Sequence, residues 1–306
     1  RGSSIEKILQ HLNFFKRGIP KINLVRSATV NDGIYSFAEN DVDFFVDYFD
    51  KNKAHFNIEK FVPASGAATR MFKFLNEFLN EFDIENDTIN SYINKHKAKD
   101  VSLFIFGIKN FPFYNLLKEK TLQLYPDYYS QSSDVKYYLL IKTLLSSEGL
   151  NFANQPKGII PFHLKEEKLF TPVEENIIEA DFFKTQNKKT KIHFTITQKF
   201  QTYFEEITNR FTEYDVSFSY QNQSSDTLAV TENNTPFRLE DGSLFFRPGG
   251  HGALIENLNS LNSDFIYIKN IDNVSQNHKF IITKYKKLIG GVLMQTQFQI
   301  FNYLKK

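Results

Sequence analysis

Lys60-Phe61-Val62-Pro63-Ala64-Ser65-Gly66-Ala67-Ala68-Thr69-Arg70-Met71-Phe72 is the stretch on which the fold turns. Its first four residues read as a short strand. Ala64 to Arg70 is a loop of small residues. From there Met71, Phe72, Leu75, Phe78, Leu79 and Phe82 form an apolar stripe at helical spacing. Strand, small-residue loop and helix in this order place backbone N–H groups at a helix N-terminus, where anions are readily held.

The same alternation continues outward. Ile192, Phe194 and Ile196 alternate as in a strand, and Phe200, Tyr203, Phe204, Ile207 and Phe211 follow at helical spacing. Val216, Phe218 and Tyr220 alternate again. Leu254, Leu258 and Leu261 predict a helix, and Phe265-Ile266-Tyr267-Ile268 a buried strand. Strands alternating with helices argue an α/β fold: a mixed, mostly parallel central sheet with helices on both faces. Ile5, Ile8, Leu9 and Leu12, then Phe44, Phe45, Tyr48 and Phe49, make residues 1–57 an N-terminal helical segment. Residues 58–306 form the α/β domain, with a helical insertion at about 85–150. Residues 279–304 read as one amphipathic helix, kinked at Gly290-Gly291.

Composition narrows the function classes. The 306 residues include 33 Phe and no Trp, ample bulk for a sizeable core. Lys plus Arg number 37 against 35 Asp plus Glu, so no long-range field favours a nucleic-acid polymer or an anionic membrane. The absence of cysteine excludes disulfides, thiolate zinc sites and cysteine nucleophiles. No apolar run reaches the roughly 18 residues of a membrane span. The N-terminus lacks a signal peptide's apolar region, and a cytoplasmic protein is expected.

Four segments carry candidate chemistry. In Ser65-Gly66-Ala67-Ala68-Thr69-Arg70, small residues allow close backbone approach to phosphates, hydroxyls add donors, and Arg70 can bind two oxygens at once. The same letters also suit a plain helix start with a surface arginine. Pro156-Lys157-Gly158 puts a lysine on a rigid turn, where it could neutralise charge growing during phosphoryl transfer; Pro-Lys-Gly is also a common turn. Arg247-Pro248-Gly249-Gly250-His251-Gly252 holds three glycines in four positions, which are costly to order and which close approach to a base or ribose would explain. A tight strand-to-helix turn capped by histidine is the alternative. Asn270-Ile271-Asp272-Asn273 follows a strand directly, and ligands of open α/β sheets sit at the carboxyl ends of strands. A carboxylate there can hold Mg²⁺ against phosphates; an Asp or Asn cap reads equally well. None of the seven histidines pair at metal-ligand spacing, and His193 reads as packing within a strand.

In this order the four segments resemble the UDP-sugar pyrophosphorylase family of nucleotidyltransferases. That family has a phosphate loop ending in Thr-Arg, a Pro-Lys-Gly, a Pro-Gly-Gly-Asn-Gly-like turn and a Val-Asp-Asn-like strand end. More closely, the chain resembles a bacterial family catalogued as domain of unknown function 4301, through Phe61 to Phe72, Pro156 to Phe162 and Phe246 to Val274. The wider resemblance implies a nucleotide-diphospho-sugar transferase-like fold of GT-A type. It implies that a nucleoside triphosphate, UTP favoured, reacts with a sugar 1-phosphate to give a nucleotide sugar and pyrophosphate. Ala64, Ser65, Gly66, Ala67, Ala68 and Thr69 would cradle the phosphates, Arg70 and Lys157 would act on their charge, and Gly249, Gly250 and His251 would lie by the base and ribose. Asp272 would bind Mg²⁺, and Gln223 or Gln221 would read the base. This chain departs from the pattern in its Ala-rich loop, in His251 where the family has Asn, and in the long insertion between Arg70 and Lys157. Two other functions fit: a non-catalytic nucleotide or nucleotide-sugar binder on the same fold, or a transferase acting on a non-sugar phosphate.

Overall fold

The computed structural model describes residues 2–305, so Arg1 and Lys306, the end positions of the two expected segments, lie outside it. Its centre is a sheet of four strands: β1 (Ile58–Pro63), β2 (Thr190–Ile196), β3 (Tyr214–Tyr220) and β4 (Phe265–Ile268). Their order is β4-β1-β2-β3, and all neighbours run parallel. The mixed character expected from the sequence is absent from this sheet. β1 is buried at every position, as a central strand between two neighbours must be.

Eleven helices are described: α1 (Ile5–Arg17), α2 (Glu39–Asn52), α3 (Lys73–Glu81), α4 (Ile89–His96), α5 (Lys99–Gly107), α6 (Tyr114–Leu124), α7 (Ser133–Leu145), α8 (Pro172–Glu179), α9 (Gln201–Thr208), α10 (Ile255–Asn259) and α11 (Lys279–Leu304). None is long and apolar enough to cross a membrane. One sheet face carries Ile58, Val62, Ile192, Phe194, Ile196 and Phe265. These pack with Phe49 of α2, Val173 and Ile177 of α8, Phe204 of α9 and Met294 of α11. The other face, with Phe61, His193 and Ser219, meets α10, where Asn257 Nδ2 donates to Ser219 Oγ at 2.8 Å. Helical cover is therefore uneven among the described residues: α2, α8, α9 and α11 pack on one face, and the five-residue α10 meets the other. The direction of travel explains the switch of face. β1 to β2 to β3 steps one way through α8 and α9. β3 to β4 steps back across the sheet, and the fixed hand of parallel connections then demands the opposite face.

Between β1 and α8 the chain makes a second cluster. Phe78, Phe113, Leu117, Ile141 and Leu144 of α3, α6, α7 and the turn before α6 are fully or almost fully buried there. Each such side chain stabilises the cluster by roughly 2–3 kcal/mol. The insertion anticipated at about 85–150 thus also recruits α3, whose apolar stripe faces this cluster. α11 is one unbroken helix. Methyl groups added at Gly290 and Gly291 would lie 2.1 Å from Tyr267 Oη and from the Phe45 carbonyl oxygen. The glycine pair, read from sequence as a kink, lets α11 press against α2 and β4.

Candidate functional site

The reversal of strand order falls between β1 and β4, and the carboxyl ends at such a reversal are where open α/β sheets take their ligands. After β1, Pro63 has no N–H to continue the ladder, and Ala64 donates to Thr195 O at 2.8 Å. Ala64 is buried and serves as the strand's extension. The chain then turns outward through Ser65, Gly66 and Ala67. Ala68 N donates to Gln155 O (3.0 Å), and Lys157 N donates to Gly66 O (3.0 Å). This bridge of Ala67 to Pro156 pins the small-residue loop to the Pro-Lys-Gly turn. The N–H groups of Ser65, Gly66 and Ala67 find no hydrogen-bond partner among the described residues. They lie at a strand end ahead of the short turn Ala68–Arg70, not on the first turn of a regular helix as the sequence suggested; α3 begins only at Lys73. Thr69 Oγ1 is 3.4 Å from Ala153 O, and Arg70 is exposed with its guanidinium unpaired among the described residues.

Lys157 reaches the loop that leaves β4. Its Nζ pairs with Asp272 Oδ2 at 2.8 Å. The packing beneath is tight: a methyl group on Gly158 would lie 3.1 Å from Ile271 Cγ1 and 3.3 Å from Val173 Cγ2. The Lys157 ammonium beside Asp272 holds its carboxyl below the usual carboxylate range, and the charge of His251 adds to the effect. The small-residue loop, the Pro-Lys-Gly turn and the Asp272 loop thus meet at the carboxyl ends of β1 and β4, while the glycine turn lies beside Gln221 and Ser225, beyond the carboxyl end of β3.

The glycine turn borders a cavity of about 300 Å³ lined by Gly249, Gly250, Gly252, Ser225, Thr227 and Lys7. Gly249 is packed, since a methyl group there would lie 2.9 Å from both Ala253 Cβ and Ser225 O. At Gly66, Gly250 and Gly252 an added methyl group meets nothing within 4 Å. Lys7, from α1, was not foreseen, because nothing in sequence ties residue 7 to residue 250. Of the two glutamines, Gln221 closes on the glycine turn: its Nε2 is buried, unpaired and 3.6 Å from the methyl position of Gly249. Gln223 is exposed in the next turn. His193 is held between Ser217 Oγ and Ser219 Oγ, each 2.7 Å away, and stacks on Phe61. Burial lowers its pKa, as fits a packed neutral ring.

The Mg²⁺ implied by the resemblance can be tested against these donors. No group of three or more His, Asp or Glu gathers among the described residues. Mg²⁺ commonly takes one or two carboxylates and completes its shell with water and substrate phosphates. Asp272 suits an ion that arrives with phosphates, not a cage built from protein alone.

The family model described as "Domain of unknown function (DUF4301)" matches residues 1–306, and the chain belongs to that family. No curated protein and no solved structure matches the chain.

Proposed function

We propose that this member of the DUF4301 family is a nucleotidyltransferase of the UDP-sugar pyrophosphorylase kind, on a GT-A-type fold, binding a nucleoside triphosphate across the β1/β4 crevice. One observation carries the reading: residues distant in sequence meet there, with Gly66 O on Lys157 N at 3.0 Å and Lys157 Nζ on Asp272 at 2.8 Å. The unpaired N–H groups of Ser65, Gly66 and Ala67 would receive phosphate oxygens, as backbone donors do in anion-binding turns. Arg70, exposed beside them, would hold the triphosphate's outer charge.

In the reaction, an oxygen of the sugar 1-phosphate attacks the α-phosphorus in line. The bond from that phosphorus to the bridging oxygen breaks, and pyrophosphate leaves with the electron pair. No enzyme-bound intermediate is needed, so the protein's part is alignment and charge neutralisation. Lys157 would leave Asp272 for the α-phosphate, where negative charge grows. Asp272 would hold Mg²⁺, which supplies further neutralisation when it arrives with the phosphates. Gly250 and His251, with Gln221, would border the nucleoside.

The test is direct. Purified protein with Mg²⁺, UTP and a panel of sugar 1-phosphates should release pyrophosphate, and Lys157→Ala should lower turnover at least about a hundredfold while leaving the melting temperature nearly unchanged. No pyrophosphate above a protein-free blank contradicts catalysis. A second reading, a non-catalytic nucleotide or nucleotide-sugar binder, is favoured by the lone carboxylate and its pairing with Lys157. Calorimetric binding of UTP without turnover would select it. Turnover with a phosphorylated alcohol alone would select the non-sugar acceptor.

A further inference from the structure

Behind the crevice lies a charged cluster that the proposed reaction does not use. Lys60, midway along β1, is fully buried. Its Nζ donates to Asn176 O at 2.8 Å and to Glu179 Oε2 at 2.6 Å. Glu179 closes α8 and meets two further lysines, Lys269 on Oε1 and Lys286 of α11 on Oε2 at 2.6 Å. Three ammonium groups, from β1, from the loop after β4 and from α11, thus face one carboxylate. The neighbouring acid on α8, Glu175, is occupied by Lys279 and Gln276. A buried cluster of ionisable groups is a weak source of stability, since apolar residues of similar volume pack as well or better. Lys269 is the first residue beyond β4; its N–H donates to Phe61 O at 3.0 Å, and Asp272 follows three residues later. One turn back on α8, Asn176 Nδ2 donates to Ile271 O at 3.3 Å.

We propose that Asn176 and Glu179, on the inner edge of α8, are positioning residues: they hold the 269–273 loop against β1 and so set Asp272 opposite Lys157. Its relevance to nucleotide chemistry rests on the function proposed above, but the positioning itself is testable separately. Each residue grips a different point of the loop, Glu179 at the Lys269 side chain and Asn176 at the Ile271 carbonyl. Loss of either should loosen the same five residues and leave the α3–α7 bundle as it was.

The experiment uses the full chain and three variants. Lys269→Met keeps the volume and leaves Glu179 with two lysines, so it should fold even where Glu179→Gln does not. Lys269→Arg restores the charge. Hydrogen exchange at position 269 and at Asn273, whose N–H groups donate to Phe61 O and Asn270 O, should rise about tenfold or more in Lys269→Met, stay unchanged in the bundle, and recover in Lys269→Arg. Unchanged loop exchange in Lys269→Met overturns the proposal. Calorimetry with Mg-UTP runs alongside and reports on the other question. A wild-type protein that ignores UTP removes the nucleotide reading, while the exchange and its recovery in Lys269→Arg still decide the positioning.

Discussion

At the scale of single residues, the informative glycines are those the fold does not need. Gly66 and Gly250 have open space where a side chain would begin, and neither has a positive φ. Close approach by a ligand gives them a reason. Gly66→Ala is therefore expected to leave stability unchanged or raise it by about 0.5 kcal/mol, through the unfolded chain. Its affinity for Mg-UTP should fall about tenfold or more, equivalent to about 1.4 kcal/mol. Thermal denaturation and calorimetry on the same sample check both halves; a less stable protein with unaltered affinity would refute the argument. Gly249→Ala should do the reverse and destabilise by about 1–3 kcal/mol through overpacking against Ala253 and Ser225. Asp272 adds a pH statement. Its folded pKa is depressed by Lys157, so the pair's contribution is present above the ordinary carboxylate range and is lost as pH falls through the lowered value. The pair is intact at neutral pH.

Among the elements, α11 shows where sequence reading stops. A glycine pair inside a helix signals a weak point when only propensity is considered. The partner that gives it meaning, Phe45 and Phe49 of α2, lies far away in sequence, and no periodicity reveals it. Gly290→Ala or Gly291→Ala should push α11 off α2 and cost about 2 kcal/mol or more, read as a lower denaturation midpoint. An unchanged midpoint would show that the contact is not tight. The four strands, by contrast, were legible, because alternation and buried apolar runs are local signals. α8 carries a local signal of its own: Thr171-Pro172-Val173-Glu174 is a capping box with proline at the first helical position. The order of the strands was not legible, since a period says which side of a strand faces inward and not which strand lies beside it. For the same reason the meeting of Gly66, Lys157 and Asp272 could be stated from sequence only as a condition on the fold, and Lys7 beside the glycine turn could not be stated at all.

For the molecule as a whole, the buried lysines shape stability against pH. Burial pushes Lys60 from its ordinary 10.5 down to about 7. Between those values the unfolded chain binds a proton that the folded chain has released, so stability rises with pH across that window. Glu179, drawn down to about 2 although its burial alone opposes this, acts in acid: its stabilisation is present above its ordinary 4.5 and lost as pH falls toward 2. Denaturation of wild type and Lys60→Met from pH 7 to 10 should give a difference that changes steadily in favour of wild type. Parallel curves would mean that Lys60 keeps its proton throughout. Titrating Mg-UTP into isotope-labelled protein and following backbone amides shows whether the carboxyl edge between β1 and β4 is a nucleotide site. A nucleotide site there gives saturable shifts at Ser65, Gly66, Ala67, Lys157, His251 and Asp272, with the amino edge around Lys188 to Lys191 unmoved. Absence of saturable shifts, or shifts confined to that opposite edge, would contradict it.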